Sequence, residues 1–242
     1  MVLVAAGFAG RASAYRPFDG TDADIAAEGE FELELGPVHY FSSPEGHYLI
    51  VPATVLNLGI TRAFELVVDF KNFVSLDSQT TQPRVRLLNT DVFIKAILRR
   101  GALQGDTGLS IALEAGPLLP EPGGTNSFGA EANLITSYRW PAATLHLNTS
   151  AALSREHNFD GFASLIAEGP REWIVRPVGE VSLEHEVNVG TFYSALVGAI
   201  WQVSDRLSID AAVRAAHSTD GGIFELRLGL TWALPVWAAK GD

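Results

Sequence analysis

From Phe31 almost to the end of the chain, apolar and polar residues alternate with a period of two, the pattern of strands with one face in an apolar medium and one in a polar medium. Phe31, Leu33 and Leu35 oppose Glu32 and Glu34, and Phe64, Leu66, Val68 and Phe70 oppose Glu65, Asp69 and Lys71. Thr90, Val92, Ile94, Ala96 and Leu98 oppose Asn89, Asp91, Lys95 and Arg99; Leu109, Ile111 and Leu113 oppose Ser110 and Glu114. The last segment is the clearest, with Phe224, Leu226, Leu228, Leu230 and Trp232 interleaved with Glu225, Arg227, Gly229 and Thr231. Turn signals cut the region into about twelve segments, an even number as single-chain bacterial barrels require. They fall near 31–41, 47–59, 63–75, 84–100, 107–118, 127–140, 142–157, 161–169, 173–187, 191–203, 206–217 and 222–234.

The connections alternate in character. One set is mostly tight, such as Gly59–Arg62, Trp140–Ala142 and Ser204–Asp205, with Gly101–Asp106 the longest; the other, including Asp77–Gln82 and Pro117–Asn126, is on average longer and richer in Gly, Pro, Asn and Asp. Short periplasmic turns and long outer loops are the habit of transmembrane barrels. A soluble sandwich or lipocalin-like barrel would place the charged face outside easily, but closing about twelve strands leaves an interior wider than side chains fill well. A lipid-facing apolar wall around a wet lumen has no such difficulty. Trp140, Trp173, Trp201 and Trp232 near strand ends suit headgroup girdles. The expected fold is therefore an all-β, transmembrane, antiparallel up-and-down barrel over 31–234.

Composition narrows the function. A net charge of −11 and no run of Lys or Arg disfavour nucleic acid as a partner. With no Cys there is neither a disulfide scaffold nor a thiolate metal site. No stretch approaches the roughly 18 apolar residues of a spanning helix. Met1–Gly10 is small and apolar, and Ala12-Ser13-Ala14 has the A-x-A form of a signal-peptidase site, although Arg11 follows the apolar run instead of preceding it. Residues 1–14 are thus expected to be a signal peptide, 15–30 a periplasmic N-terminal segment and 235–242 a C-terminal tail.

Phe18-Asp19-Gly20-Thr21-Asp22-Ala23, Gly29-Glu30-Phe31-Glu32-Leu33-Glu34-Leu35-Gly36, Glu168-Gly169-Pro170, Arg176-Pro177-Val178-Gly179-Glu180, Leu196 to Trp201 and Leu228-Gly229-Leu230-Thr231-Trp232 resemble outer-membrane proteins of the MetA-pathway of phenol degradation family. The resemblance spans nearly the whole expected mature chain, and its motifs are barrel grammar more than chemistry. It implies a bacterial outer-membrane location and a transporter or channel role, in some members associated with aromatic compounds, and it carries no catalytic residues. The chain departs from the pattern in continuing past Trp232 through Pro235 to Asp242.

Chemical motifs are scarce: no phosphate-binding loop, His-Glu-x-x-His, Gly-x-Ser-x-Gly or calcium loop occurs, and the six His show no ligand spacing, so neither metal nor cofactor is expected. His146, Asn148 and Ser150 share one face, which invites a lipid-hydrolase reading, but that face is the lumenal one. The ladder Glu180, Ser182, Glu184, Glu186 and Asn188 projects into one lumen sector, where it either forms a cation-favouring eyelet or a solvated wall. Lys71, Lys95, Arg99, Arg139, Arg176, Arg214 and Arg227 are candidates to pair with it. Glu180, Glu184, Glu186, Arg176, Asp210, Arg214, Glu225, Arg227, Asp91 and Lys95 are the expected lumen-lining set. The reading that follows is a passive channel, without cofactor, whose partners are the outer-membrane bilayer and small solutes, aromatic compounds among them. Its competitors are a barrel enzyme acting on lipid and a closed structural barrel.

Overall fold

The computed structural model describes residues 16–77, 84–122, 124–219 and 221–237. The expected signal peptide and residues 238–242 of the expected tail lie outside them. Among the described residues the chain forms twelve antiparallel strands in a closed barrel. They are β1 (Glu30–Ser43), β2 (Gly46–Gly59), β3 (Phe64–Ser75), β4 (Val85–Arg99), β5 (Ser110–Leu118), β6 (Gly129–Arg139), β7 (Thr144–Leu153), β8 (Phe159–Glu168), β9 (Val175–Glu186), β10 (Gly190–Ser204), β11 (Leu207–Ser218) and β12 (Gly221–Pro235). Each strand pairs with its neighbours in the chain. β12 closes on β1, from Glu30 opposite Pro235 to Ser42 opposite Phe224, which leaves no unpaired sheet edge.

The alternation sets the two faces. In β12, Phe224, Leu226, Leu228 and Trp232 are exposed while Glu225, Arg227 and Thr231 are buried. In β11, Ile209 and Val213 point out and Ser208 and Asp210 point in. An outer surface built from Leu, Val, Ile and Phe around a polar interior inverts the soluble arrangement, and it is stable only where lipid covers it. Trp140, Trp173, Trp201 and Trp232 are all exposed at the end of the barrel where β1 begins and β12 ends, and the Tyr138 ring stacks edge-on at 4.4 Å from Trp140. Amphipathic indoles at one level are what a membrane–water boundary selects. The expected contrast between short turns at this end and long loops at the other does not hold, because the strands of β1–β2, β9–β10 and β11–β12 run on into tight turns at the far end while residues 100–109 make a long connection at this one.

The alternation is broken where proline enters. The register shifts between Leu35 and Val38 in β1 and between Ile50 and Ala53 in β2, at Pro37 and Pro52, because proline has no N–H to give the ladder. A third shift lies between Asp69 and Lys71, opposite Asn89, whose φ is +49°. Each bulge resets the parity. Glu32 and Glu34 face inward below the β1 bulge, and His39, opposite Arg227, faces inward above it.

The largest departure from expectation is at the N-terminus. Residues 16–29, expected as a periplasmic extension, run inside the barrel as an extended strap. From Gly29, which accepts from Val236 and donates to Gly59, the chain passes β3, β6, β7 and β9 in turn and reaches β11 and β12. Ala23 and Ala26 are fully buried against the wall. A lone extended segment has no ladder partner, so each of its N–H groups needs an acceptor from another source. The wall supplies side chains for this.

Candidate functional site

Four wall side chains accept five hydrogen bonds from the backbone of the strap. Glu180 accepts from the N–H groups of Asp19 and Gly20, both at 2.8 Å, and Asn148 accepts from Thr21 at 3.0 Å. The Ser137 hydroxyl accepts from Ala23 at 3.0 Å, and Glu65 accepts from Ala26. Asn148 also donates to the Thr21 carbonyl at 2.9 Å. From below, Gln104 of the 3₁₀ turn Ala102–Gln104 donates to the Ala23 carbonyl at 2.8 Å and to Asp24 at 3.1 Å.

Ion pairs fix the side chains of the strap. Arg227 donates to the Pro17 carbonyl at 2.8 Å and to Asp19 at 2.7 Å, and Arg214 meets the other Asp19 oxygen at 2.7 Å. Both guanidinium groups reach Glu225 at 2.6 Å, which His39 contacts at 2.8 Å. Burial alone would raise the Asp19 carboxyl, but Arg227 and Arg214 outweigh it and hold it below its ordinary value. Arg16 approaches Asp210 at 3.6 Å, and buried Lys95 donates to Thr21 at 3.3 Å and pairs with Asp22 at 3.7 Å. Burial, with Asp22 beside it, pushes the Asp24 carboxyl up to about 6.

Between the strap and the end of the barrel where β1 meets β2 lies a cavity of about 490 Å³. Its floor is Arg16 to Thr21, and its walls mix carboxylates with Phe41, Phe73, Phe93 and Phe162. Asp91 is tied to Arg155 at 2.5 Å, so this carboxylate faces the cavity already paired.

The ten residues expected to line the lumen all project inward, but they divide into separate groups. Arg214, Glu225, Arg227 and Asp210 gather around Asp19 and Arg16; Lys95 holds the strap; Arg176 lies 3.8 Å from Glu168. The acidic ladder is split as well: Glu180 is occupied by the strap, Glu184 faces the cavity, and Glu186 accepts from Asn158 at 3.3 Å near the rim. The cations expected to pair with the ladder go elsewhere, Lys71 to Asp69, Arg176 to Glu168, and Arg214 and Arg227 to Asp19 and Glu225. Arg99 stays exposed at the end of β4. His146, Asn148 and Ser150 do not form a relay. His146 lies between Ser137 at 2.8 Å and Glu168 at 3.2 Å, while Asn148 serves the strap. Asp19, Arg16 and Ser137 escaped the sequence reading, because the strap has no periodicity to reveal where it docks.

The geometry defines a barrel of the outer-membrane type with an internal N-terminal strap. Solved structures of similar architecture include the COG4313 outer membrane channel from Pseudomonas putida F1, with a TM-score of 0.63 at 8% identity over 90% of this chain and 100% of that one. The CymD monoaromatic hydrocarbon channel follows at 0.53, with 8% identity over 89% and 90% of the two chains. The KdgM porin gives 0.52, with 8% identity over 83% and 98%. At such identity the likeness is one of fold. No protein-family model and no curated protein sequence matches the chain.

Proposed function

We propose that the protein is a channel of the bacterial outer membrane for passive uptake of small solutes, aromatic compounds among them. The observation that carries this reading is the open, mixed polar and aromatic cavity inside a barrel whose outer face is apolar. Aromatic solutes are supported by the phenylalanines of the cavity, by the resemblance to the MetA-pathway of phenol degradation family, and by the name of the CymD channel. The route needs neither nucleotide nor cofactor, since diffusion down a gradient drives it. The strap favours one competing reading, a closed structural barrel.

Reconstitution in planar bilayers and liposome swelling with phenol separate the two. A channel gives discrete conductance steps and swelling faster than empty vesicles. A folded barrel that shows neither would establish the structural reading, and release of fatty acid from the vesicles would establish a lipid hydrolase.

A further inference from the structure

The charges around the cavity are unevenly satisfied. Each of its four Lys and Arg side chains already has a carboxylate partner: Arg16 has Asp210, Lys71 has Asp69, and Arg214 and Arg227 share Asp19 and Glu225. On the opposite wall, Glu114, Glu131, Asp160 and Glu184 reach the same cavity, and among the described residues none of them is in an ion pair. Lys95, in register with Glu114, is turned to Asp22 and Thr21.

These residues form one patch. Glu114 stands opposite Asn133, Asn133 opposite Ser150, Ser150 opposite Phe162, and Phe162 opposite Glu184. A second, independent feature has the same polarity. Glu34, Asn57 and Asn133 are among the residues that line the cavity, are 1%, 0% and 8% exposed, and each holds one side-chain oxygen that accepts no hydrogen bond. Unmet buried acceptors are costly, so a bound molecule that brings N–H groups is favoured there. Phe93 and Phe162 add aromatic faces, which attract cations as well as apolar groups.

We infer that the β4–β9 wall of the cavity is a binding site for organic ammonium ions, with the cationic head among Glu114, Glu131 and Glu184 and an apolar or aromatic body against Phe93 and Phe162. This rests on the channel reading for its biological sense, but binding and permeation are separate measurements. The volume suits one small molecule of this kind. A carboxylate solute of the same shape would meet four carboxyl groups and no unpaired cation among the described lining residues.

The test is calorimetric titration of the full-length protein in maltoside micelles with 2-phenylethylammonium, 2-phenylethanol and phenylacetate. The ammonium ion is expected to bind at least tenfold tighter than the alcohol, with phenylacetate weakest. The Glu114→Gln, Glu131→Gln, Glu184→Gln triple variant should bind ammonium and alcohol alike, while Glu156→Gln, in a connecting loop, should match the wild type. If the triple variant fails to fold, as judged by heat-modifiable gel mobility, Glu131→Gln alone should lower ammonium affinity at least threefold and leave alcohol affinity unchanged. Equal binding of ammonium and alcohol by the wild type, absence of binding by either, or unchanged preference in the folded variant would overturn the inference. Tight ammonium binding by a protein that conducts nothing would leave this site standing and refute the channel.

Discussion

Arg227 ties the strap to the charge cluster of the wall, since its guanidinium holds the Pro17 carbonyl and Asp19 of the strap and Glu225 of β12 at once. Removing one partner of a buried charge cluster leaves the others uncompensated and costs about 3–5 kcal/mol. Arg214 remains to neutralise Asp19 and Glu225, so the lower end, about 3 kcal/mol, is expected for Arg227→Met. A urea titration followed by gel mobility measures it. A variant with an unchanged midpoint would mean that the clamp is solvated and weak. Single inward residues such as Arg227 and Asp210 were legible from parity. Their partners were not, because a side chain's parity says which face it occupies and nothing about a segment that folds in from outside the sheet.

At the scale of the element, β12 shows why alternation was readable: its apolar set meets lipid without interruption and its polar set meets the lumen. Leu228→Arg should cost about 2–4 kcal/mol in bilayer folding if Leu228 lies near the midplane. Thr231→Ser, which removes one inward methyl, should cost no more than about 1 kcal/mol. Similar costs at the two positions would contradict the assignment of faces. The strand count was equally legible, because turn residues punctuate every reversal. The bulges at Pro37 and Pro52 were visible as prolines, but their effect on parity depends on pairing across the sheet. The strap was misassigned because polar, acidic, aperiodic sequence reads as solvent-exposed. Here the polarity is met by wall acceptors instead of water. Its fit depends on Gly20, where an added Cβ would lie 2.5 Å from Ser164 Oγ and 2.8 Å from Asn148 Nδ2. Gly20→Val is therefore expected to lift the strap off β7–β9 and to raise the mean conductance of reconstituted protein, while the closed twelve-strand barrel still folds. Unchanged conductance would show that the strap does not restrict the passage.

The whole molecule couples strap and barrel through two carboxylates that respond to pH in opposite directions. Asp19, held below its ordinary value by Arg227 and Arg214 against the effect of burial, contributes to docking when ionised; that contribution is lost only as pH falls through its lowered value, below 3.8. Asp24, raised to about 6 from 3.8 by burial and by Asp22, has the reverse sign. Between these values the docked strap binds more protons than a released one, so docking is favoured at acidic pH and weakens as pH rises through about 6. From pH 7 to pH 5 Asp19 stays ionised and Asp24 takes up its proton, so both favour the docked strap. If the docked strap narrows the passage, mean conductance should fall over this interval. The Asp24→Asn variant removes the titrating group while keeping an oxygen that Gln104 can reach, and it should flatten the part of the response centred near 6. Conductance recorded at fixed salt from pH 5 to pH 7.5, wild type beside Asp24→Asn, decides the point. A wild-type decline on acidification that persists unchanged in the variant would assign the response to other lumenal carboxylates and remove Asp24 from the coupling.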